Sequence, residues 1–235
     1  LAGKVRIKDA VADKPGRLVS EDCLPVILGD PQPFSSRGGF KLEHALKQFD
    51  ILPVGKTVVD VGASTGGFTD CLLQNGAEKV YAVDVGYGQL DWKLRNDPRV
   101  ICRDRKNARN LSKEDIGETL DLAVIDVSFI SLQLVIPPLL KILKPEGQLV
   151  ALVKPQFEVG KNDMEHRGII KDPAKHISVL LELNRFIEEK EWSIINATES
   201  PITGQKGNRE FLIHCVDNRY GKPVEEDILR KIVRN

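Results

Sequence analysis

The chain has 235 residues, in which 34 lysines and arginines balance 34 aspartates and glutamates, so its formal net charge is zero. A hydrophobic fraction of 41% beside 29% charged residues is typical of a globular protein with a sizeable core and excludes a disordered chain. No apolar run approaches the ~20 residues of a membrane helix, and the balanced charge does not suggest a strongly basic nucleic-acid binder. Four scattered cysteines and four scattered histidines predict free thiols in a reducing cytoplasm and no metal site.

The amino-terminal stretch is organised differently from the rest. It carries short β-like pieces, at 5–7 and 24–28, that are too small to bury a core alone. Because the chain starts with Leu1 and these residues resemble the middle of a module, we expect the beginning of the protein to be missing. Composition and Pro-rich breaks divide the chain into four predicted parts: a partial module over 1–28, a linker over 29–34, a main domain over 35–220 and a helical tail over 221–235.

Apolar strands and amphipathic helices alternate through the main domain. The predicted strands lie at 57–62, 79–84, 99–103, 122–127, 148–153, 192–199 and 209–217. One predicted helix follows a capping Ser36, and three others cover 66–75, 131–143 and 175–190. This alternation predicts an α/β fold with a doubly wound, Rossmann-like, mostly parallel sheet. The last two strands have no helix between them, so we expect them to pair antiparallel.

A glycine-rich segment at 62–67 joins the first of these strands to a helix, where backbone N–H groups can hold a ligand. A dinucleotide fingerprint needs a glycine where Ser64 stands, and a phosphate loop needs a lysine where Phe68 stands. S-adenosylmethionine requires neither. An acidic residue at the end of the second strand would then hold its ribose hydroxyls, and Asp84 stands there. A tight strand–helix turn that binds nothing is the remaining alternative.

Polar residues follow or precede other strands at the same predicted edge, where open parallel sheets bind ligands. Asp126 ends the fourth strand, Lys154 ends the fifth, and Glu210 begins the last. Lys41 lies in the helix that opens the domain. Each of these taken alone is more often a solvated ion. Two lysines and two carboxylates beside a cofactor loop instead favour a catalytic cluster.

These residues belong to six motifs in which the chain resembles the TlyA family, ribosomal-RNA 2′-O-methyltransferases of the FtsJ-like class that are often labelled hemolysins. In order, they are SSRGGFKLEHAL, VVDVGASTGGFTDCLL, VDVGYGQL, VIDVSFISL, LVKPQFE and GNREFLIHC. The resemblance implies S-adenosylmethionine-dependent methylation of a ribose in ribosomal RNA. It also implies a Lys-Asp-Lys-Glu tetrad formed by Lys41, Asp126, Lys154 and Glu210.

The resemblance further implies where the cofactor and the RNA bind. The predicted cofactor positions are Asp60, Gly62, Ala63, Ser64, Thr65, Gly67, Phe68, Asp84 and Val85, with Asn107 and Ala108 near the adenine. Residues 1–28 resemble the carboxyl-terminal half of an S4-type RNA-binding domain. The acidic, Pro-rich linker departs from the family and leaves its role in RNA recognition in doubt.

Lys154 is the candidate that removes the proton of the ribose hydroxyl or orients that hydroxyl. To act as a base it must be neutral, a state that the charge of Lys41 favours and the two carboxylates oppose. RNA phosphates need cations, and the segment 93–109 has seven basic residues against two acidic ones. The predicted RNA contacts are Arg37, Arg103, Arg105 and Lys106, while a solvated loop is the equal alternative for this segment.

The expected partners are ribosomal RNA and ribosomal subunits, without a membrane, and the oligomeric state stays open. Two other classes of function compete with methyl transfer. One is a non-catalytic RNA-binding or ribosome-assembly protein, against which the complete tetrad argues. The other is a membrane-lytic hemolysin, for which the sequence offers no membrane span and no strongly hydrophobic amphipathic helix. A nicotinamide-dependent enzyme is excluded mainly by Ser64.

Overall fold

A computed structural model of the chain describes residues 5–8, 10–12, 18–27, 32–159 and 168–234. The chain forms two compact units, Leu1–Pro33 and Phe34–Asn235. The boundary between them falls inside the predicted linker 29–34, whose first three residues lie outside the described ranges. The last residue of the predicted tail, Asn235, also lies outside them.

The amino-terminal unit contains three short strands, β1 (Val5–Ile7), β2 (Ala10–Val11) and β3 (Pro25–Ile27). They form an antiparallel sheet in the order β2-β1-β3. Arg6 at the centre of β1 is opposite Val11 on one side and Val26 on the other.

The second unit alternates strands and helices. Its helices are α1 (Gly38–Gln48), α2 (Gly67–Gln74), α3 (Trp92–Arg95), α4 (Lys113–Ile116), α5 (Leu132–Leu140), α6 (Pro155–Glu158), α7 (Pro173–Glu188) and α8 (Glu226–Arg234). Its strands are β4 (Thr57–Val61), β5 (Lys79–Val83), β6 (Val100–Arg103), β7 (Leu120–Ile125), β8 (Leu143–Val153), β9 (Trp192–Glu199) and β10 (Phe211–Asp217). Single 3₁₀ turns occur at Ala108–Asn110 and Gln205–Gly207.

The seven strands form one sheet in the order β6-β5-β4-β7-β8-β10-β9. Strands β4 to β8 pair parallel, whereas β10 pairs antiparallel with both β8 and β9. The order reverses at β4, which is the switch point where a doubly wound sheet binds ligands. The predicted α/β class, the Rossmann-like sheet and its antiparallel last strand are confirmed.

The central strands are apolar along nearly their whole length because helices cover both faces of the sheet. One layer of side chains includes Val59, Ile125 and Ile136, and the other includes Leu42, Leu72 and Val124. Helix α8 contributes two buried residues to the first layer, Leu229 and Val233. Among the helices in the described ranges, none has the length and apolar character to cross a membrane.

Three boundaries differ from the sequence expectation. Helix α1 begins at Gly38 with Arg37 at the cap position, while the hydroxyl of Ser36 accepts a bond from the Gly38 N–H at 3.3 Å. Strand β7 ends at Ile125, so Asp126 follows the strand instead of belonging to it. Strand β8 begins at Leu143, before a Pro-containing segment that resembles a turn, because Leu143 pairs with the start of β7.

Candidate active site

Strands β4, β5, β7 and β8 all end at one edge of the sheet, which we call the carboxyl edge. Val61 at the end of β4 pairs with Val83 of β5 and with Ile125 of β7. This register places three predicted site residues on neighbouring strands at that edge: Gly62, Asp84 and Asp126. Their backbones are tied together, since the N–H of Gly62 donates to Val83 O and that of Asp126 donates to Val61 O, both at 2.9 Å.

The antiparallel strand β10 begins at the same edge. Phe211, its first residue, pairs with Val153, the last residue of β8. The residues just beyond this pair are Glu210 and Lys154, which therefore lie next to each other at the carboxyl edge. The insertion of β10 beside β8 thus brings a carboxylate from the end of the chain to the parallel strands.

Lys41 on α1 forms an ion pair with Glu210. Its Nζ donates to Oε2 of Glu210 at 2.5 Å, and the two side chains are only 11% and 3% exposed. Burying two charges is costly unless they are paired, so the contact holds both side chains in place. Lys41 is one helical turn from Gly38, whose added Cβ would lie 3.7 Å from Oδ2 of Asp126. Helix α1 therefore connects both halves of the predicted tetrad.

Lys154 forms the second pair. Its Nζ lies 2.5 Å from Oδ1 of Asp126 and donates to the hydroxyl of Ser128 at 3.0 Å. Lys154 is buried, whereas Asp126 is partly exposed at the edge. The structure thus brings all four tetrad residues to one edge, as two lysine–carboxylate pairs. Ser128 was not predicted, although it stands inside the VIDVSFISL motif.

The glycine loop approaches β7 more closely than any side chain would allow. Gly62 has φ +85°, and a Cβ atom there would lie 2.3 Å from the backbone oxygen of Asp126. Gly67 at the start of α2 is equally restricted, since a Cβ atom would lie 2.2 Å from the Ser36 hydroxyl on the segment before α1. Glycine at these two positions lets the loop, β7 and the segment before α1 meet at the carboxyl edge.

Asp84 supports the loop from the end of β5. Its Oδ2 accepts the Ser64 N–H at 2.9 Å, and its Oδ1 accepts the Gly86 N–H at 2.7 Å. Ser64 has φ +48°, a left-handed conformation that a non-glycine residue adopts rarely and that this bond helps to hold. Asp84 is half-buried, so it remains partly accessible at the carboxyl edge.

Asp60 lies directly beneath the loop and is completely buried. Its Oδ2 accepts a bond from the Thr69 hydroxyl at 2.6 Å, while Oδ1 has no hydrogen-bond partner in the described part of the chain. Burial raises the pKa of Asp60 to about 7, and the Thr69 bond partly offsets that effect. Its position supports the loop from inside and does not give it direct access to a ligand.

The other predicted cofactor positions lie in the loop and beyond the ends of β5 and β6, and they differ in exposure. Thr65 is exposed, while Ala63 and Phe68 are buried. Val85 is 70% exposed beyond the end of β5. Beyond β6, Asn107 starts a 3₁₀ turn by accepting the Arg109 N–H at 3.1 Å, and Ala108 is buried behind it.

The basic segment 93–109 is largely paired within the protein. The pairs are Arg95 with Asp104, Arg99 with Asp97 and Lys106 with Asp115, while Arg103 donates to the backbone oxygen of Asp115. Of the predicted RNA contacts, Arg103 and Lys106 are therefore held by their own neighbours. Arg37 and Arg105 are exposed, and the guanidinium of Arg105 lies 4.4 Å from the ring centre of Tyr87.

Glu158 also acts at this edge without having been predicted. Its carboxylate accepts the Ser131 hydroxyl at 2.6 Å and the Leu132 N–H at 2.9 Å, so it holds the start of α5 next to the segment that carries Asp126. Burial raises the pKa of Glu158, and these two bonds oppose the rise. The described ranges contain no cluster of three or more His, Cys, Asp or Glu side chains that could hold a metal ion.

The sheet order, the glycine loop and the edge cluster together define an α/β methyltransferase domain, and the family profile described as FtsJ-like methyltransferase matches residues 34–216. The 16S/23S rRNA (cytidine-2′-O)-methyltransferase TlyA of Mycobacterium tuberculosis (strain ATCC 25618 / H37Rv) is 46% identical over 213 residues, which cover 90% of this chain and 80% of that protein. This chain therefore belongs to the TlyA family of FtsJ-like methyltransferases.

Two further relatives carry another name. Hemolysin A of Brachyspira hyodysenteriae is 40% identical over 218 residues, which cover 92% of this chain and 90% of that protein. A solved structure of a hemolysin-named protein from Streptococcus thermophilus superposes with a TM-score of 0.85 at 41% identity, covering 99% of this chain and 86% of that one. The resemblance to the TlyA family is thereby confirmed, including its mixture of methyltransferase and hemolysin names.

Proposed function

We propose that this chain transfers a methyl group from S-adenosylmethionine to the 2′-oxygen of a cytidine ribose in ribosomal RNA. The observation that carries the proposal is the pair of lysine–carboxylate contacts at the carboxyl edge, beside the glycine loop. The names of the relatives as rRNA (cytidine-2′-O)-methyltransferases supply the substrate class. The assignment of Lys41, Asp126, Lys154 and Glu210 as the catalytic tetrad belongs to this proposal.

The residues around the loop fit S-adenosylmethionine. An ionised carboxylate has about four acceptor positions, and the backbone bonds of Asp84 use two of them, so the others can accept ribose hydroxyls. The segment 62–65 would lie along the amino-acid part, and Val85, Asn107 and Ala108 would border the adenine. When bound, this cofactor supplies a methyl group on a positively charged sulfur, an electrophile that needs no phosphate-binding lysine.

Lys154 is suited to orient the ribose hydroxyl. An ammonium group carries three N–H bonds, and Asp126 and Ser128 are its two polar partners in the described part of the chain. One N–H is donated to Ser128, whereas the contact with Oδ1 of Asp126 is an ion pair without hydrogen-bond geometry. A further N–H can therefore donate to the 2′-oxygen, whose other lone pair is then directed toward the methyl carbon. Holding the two reacting groups in this geometry is worth several orders of magnitude in rate.

The second pair places another positive group at the same edge. Lys41 is held by Glu210, so its charge faces the edge without freedom to swing away. The hydroxyl proton passes to solvent by way of the partly exposed Asp126 carboxylate, and negative charge develops on the 2′-oxygen as it leaves. Fixed cations beside the 2′-oxygen stabilise that charge. The two carboxylates keep both lysines oriented and balance their charge in the absence of RNA.

RNA contacts are proposed at Arg37 and Arg105, because both are exposed. Arg37 precedes Lys41 by four residues. The N–H of Arg105 donates to the backbone oxygen of Gly86, two residues after Asp84, at 2.9 Å. The Arg105–Tyr87 stack offers a cation and an aromatic face together, a combination that binds phosphate and base. We also assign the residues before the linker to an S4-type RNA-binding module and propose that the protein acts on ribosomal subunits in the cytoplasm.

Methyl transfer from labelled S-adenosylmethionine to purified ribosomal subunits, followed by mapping of 2′-O-methyl sites, tests the proposal. Lys154→Ala is expected to lower turnover by roughly 100-fold or more while cofactor affinity stays within about two-fold. The matched control is Lys144→Ala, because Lys144 pairs with Asp121 at 2.6 Å at the opposite end of the same strand. It should retain wild-type turnover.

Each alternative has its own outcome. Wild-type protein that binds ribosomal RNA but transfers no label would contradict the proposal and favour a ribosome-assembly role. Lysis of red cells by purified protein that survives Lys154→Ala would favour the activity that the hemolysin-named relatives suggest. Equal turnover of Lys154→Ala and wild type would remove Lys154 from the mechanism even if methyl transfer is observed.

A further inference from the structure

Glu210 of the edge cluster packs against a backbone that has no side chain. A Cβ atom added to Gly204 would lie 2.1 Å from Oε1 and 2.7 Å from Cδ of Glu210. Real Cβ atoms essentially never approach another atom below about 3.0 Å, so any side chain at 204 would occupy the place of the carboxylate. The φ of Gly204 is −66°, which every residue can adopt, so a left-handed conformation is not the reason for glycine here.

The turn that contains Gly204 is anchored on both sides. The Gly204 N–H donates to the Asn208 backbone oxygen at 2.9 Å. The Asn208 side chain is itself buried, accepting the Ile170 N–H and donating to the Gly168 oxygen, both at 3.0 Å. Because these bonds fix the turn, the backbone has little freedom to retreat from an added methyl group.

Glu210 is fixed from the other direction. Its backbone oxygen accepts the Ser200 N–H at 2.8 Å, and the next residue, Phe211, is paired in the sheet. Its side chain is 3% exposed and bound to Lys41 at 2.5 Å. The flexible end of the carboxylate is therefore the part that must move, and moving it breaks the ion pair.

We infer that Gly204 is a positioning residue for the reaction: its missing side chain provides the space in which the Glu210 carboxylate meets Lys41. The inference rests on the proposed methyl transfer for its kinetic consequence, whereas the contact itself is a property of the fold. Gly204 touches neither substrate nor cofactor in this assignment, and it acts only through Glu210.

Gly204→Ala is expected to lower the kcat of methyl transfer on the order of 100-fold, the effect of displacing a catalytic group by about 1 Å. Cofactor affinity should stay within about two-fold because the glycine loop is untouched. Gly207→Ala is the matched control. Gly207 lies in the same turn with φ +85°, so alanine strains the backbone there, but its Cβ would meet nothing within 4 Å. The control should lose some stability and much less kcat than Gly204→Ala.

A double-mutant cycle separates this role from simple damage to the turn. In a Glu210→Ala background no carboxylate remains to be displaced, so Gly204→Ala should no longer lower the urea midpoint of unfolding, although it does so in the wild type. Equal losses of stability in both backgrounds, or wild-type kcat in Gly204→Ala, would overturn the inference. An inactive wild type would instead contradict the proposed function, and the stability cycle would still test the contact.

Discussion

His214 makes the stability of the fold sensitive to acid. It lies at the middle of β10, 3% exposed, with its ring stacked on Phe49 at 5.5 Å between centres and 21° between planes. Neither ring nitrogen has a hydrogen-bond partner in the described ranges. Burial lowers the pKa of His214 from 6.5 to about 4, and the positive charge of Lys56 adds to the effect.

The direction of this acid effect follows from the pH at which His214 binds a proton in the folded and in the unfolded protein. The unfolded chain protonates this ring near its ordinary pKa, whereas the folded protein does so only near pH 4, so acid favours the unfolded chain. A pKa difference of about 2.5 at roughly 1.4 kcal/mol per pKa unit is worth about 3.5 kcal/mol. About 2 kcal/mol of this stability is lost between pH 7 and pH 5, and the rest as the pH falls through 4.

The assay is urea unfolding of wild type and His214→Phe at pH 7, 6 and 5. Phenylalanine keeps a ring against Phe49 but cannot titrate, and every other titrating group is common to both proteins. The stability of the variant relative to wild type should therefore rise by about 2 kcal/mol between pH 7 and pH 5. A difference that is the same at both pH values would refute the reasoning, whatever the size of the repacking cost.

Three further substitutions test contacts at the edge. Thr69→Val removes the hydroxyl that donates a hydrogen bond to the buried Asp60, and it should lower the free energy of unfolding in urea by about 1–3 kcal/mol. The loss should be larger at pH 8 than at pH 5, because the charged carboxylate then lacks its donor, and an equal loss at both pH values would contradict this. Gly67→Ala should lower cofactor affinity in calorimetry, since its Cβ would collide with the Ser36 hydroxyl; unchanged affinity would contradict it. Glu158→Ala should lower stability by about 1–2 kcal/mol by leaving the start of α5 without its acceptor; an unchanged urea midpoint would contradict that.

The strands of the parallel sheet were predictable because they are buried on both faces. The strands β4 and β5 each appear as a β-rich run with boundaries that agree within one residue. The antiparallel edge strand β9 was placed equally well, although it is only partly buried. Helices of four residues, such as Lys113–Ile116, were not predicted, because one turn is too short to show a helical period. The early start of β8 was also missed, but here the local sequence indicates a different structure from the one that forms. Its proline and glycine indicate a turn, and only the pairing with β7 extends the strand.

The site residues likewise include some that the sequence predicts and some that it does not. Asp84, Asp126 and Lys154 follow strands and could be assigned to one edge by topology alone. The hydroxyl of Ser128 at Lys154 and the packing of Gly204 on Glu210 depend on contacts between segments distant in sequence, which no local pattern contains. For the basic segment, a net positive run does not reveal that four of its seven cations have partners inside the fold, and its role in RNA binding stays a prediction.

The ion pair between Lys41 and Glu210 joins residues 169 positions apart. Glu210 directly precedes β10, which is the last strand of the sheet in chain order but lies between β8 and β9. During synthesis β8 therefore keeps an open edge until β10 leaves the ribosome and pairs with it. A nascent chain can already form its glycine loop and Asp84 while still lacking half of its charged cluster. The proposed tetrad is therefore complete only after Glu210 has been translated, so under the proposed mechanism a nascent chain that ends before this residue could not methylate RNA.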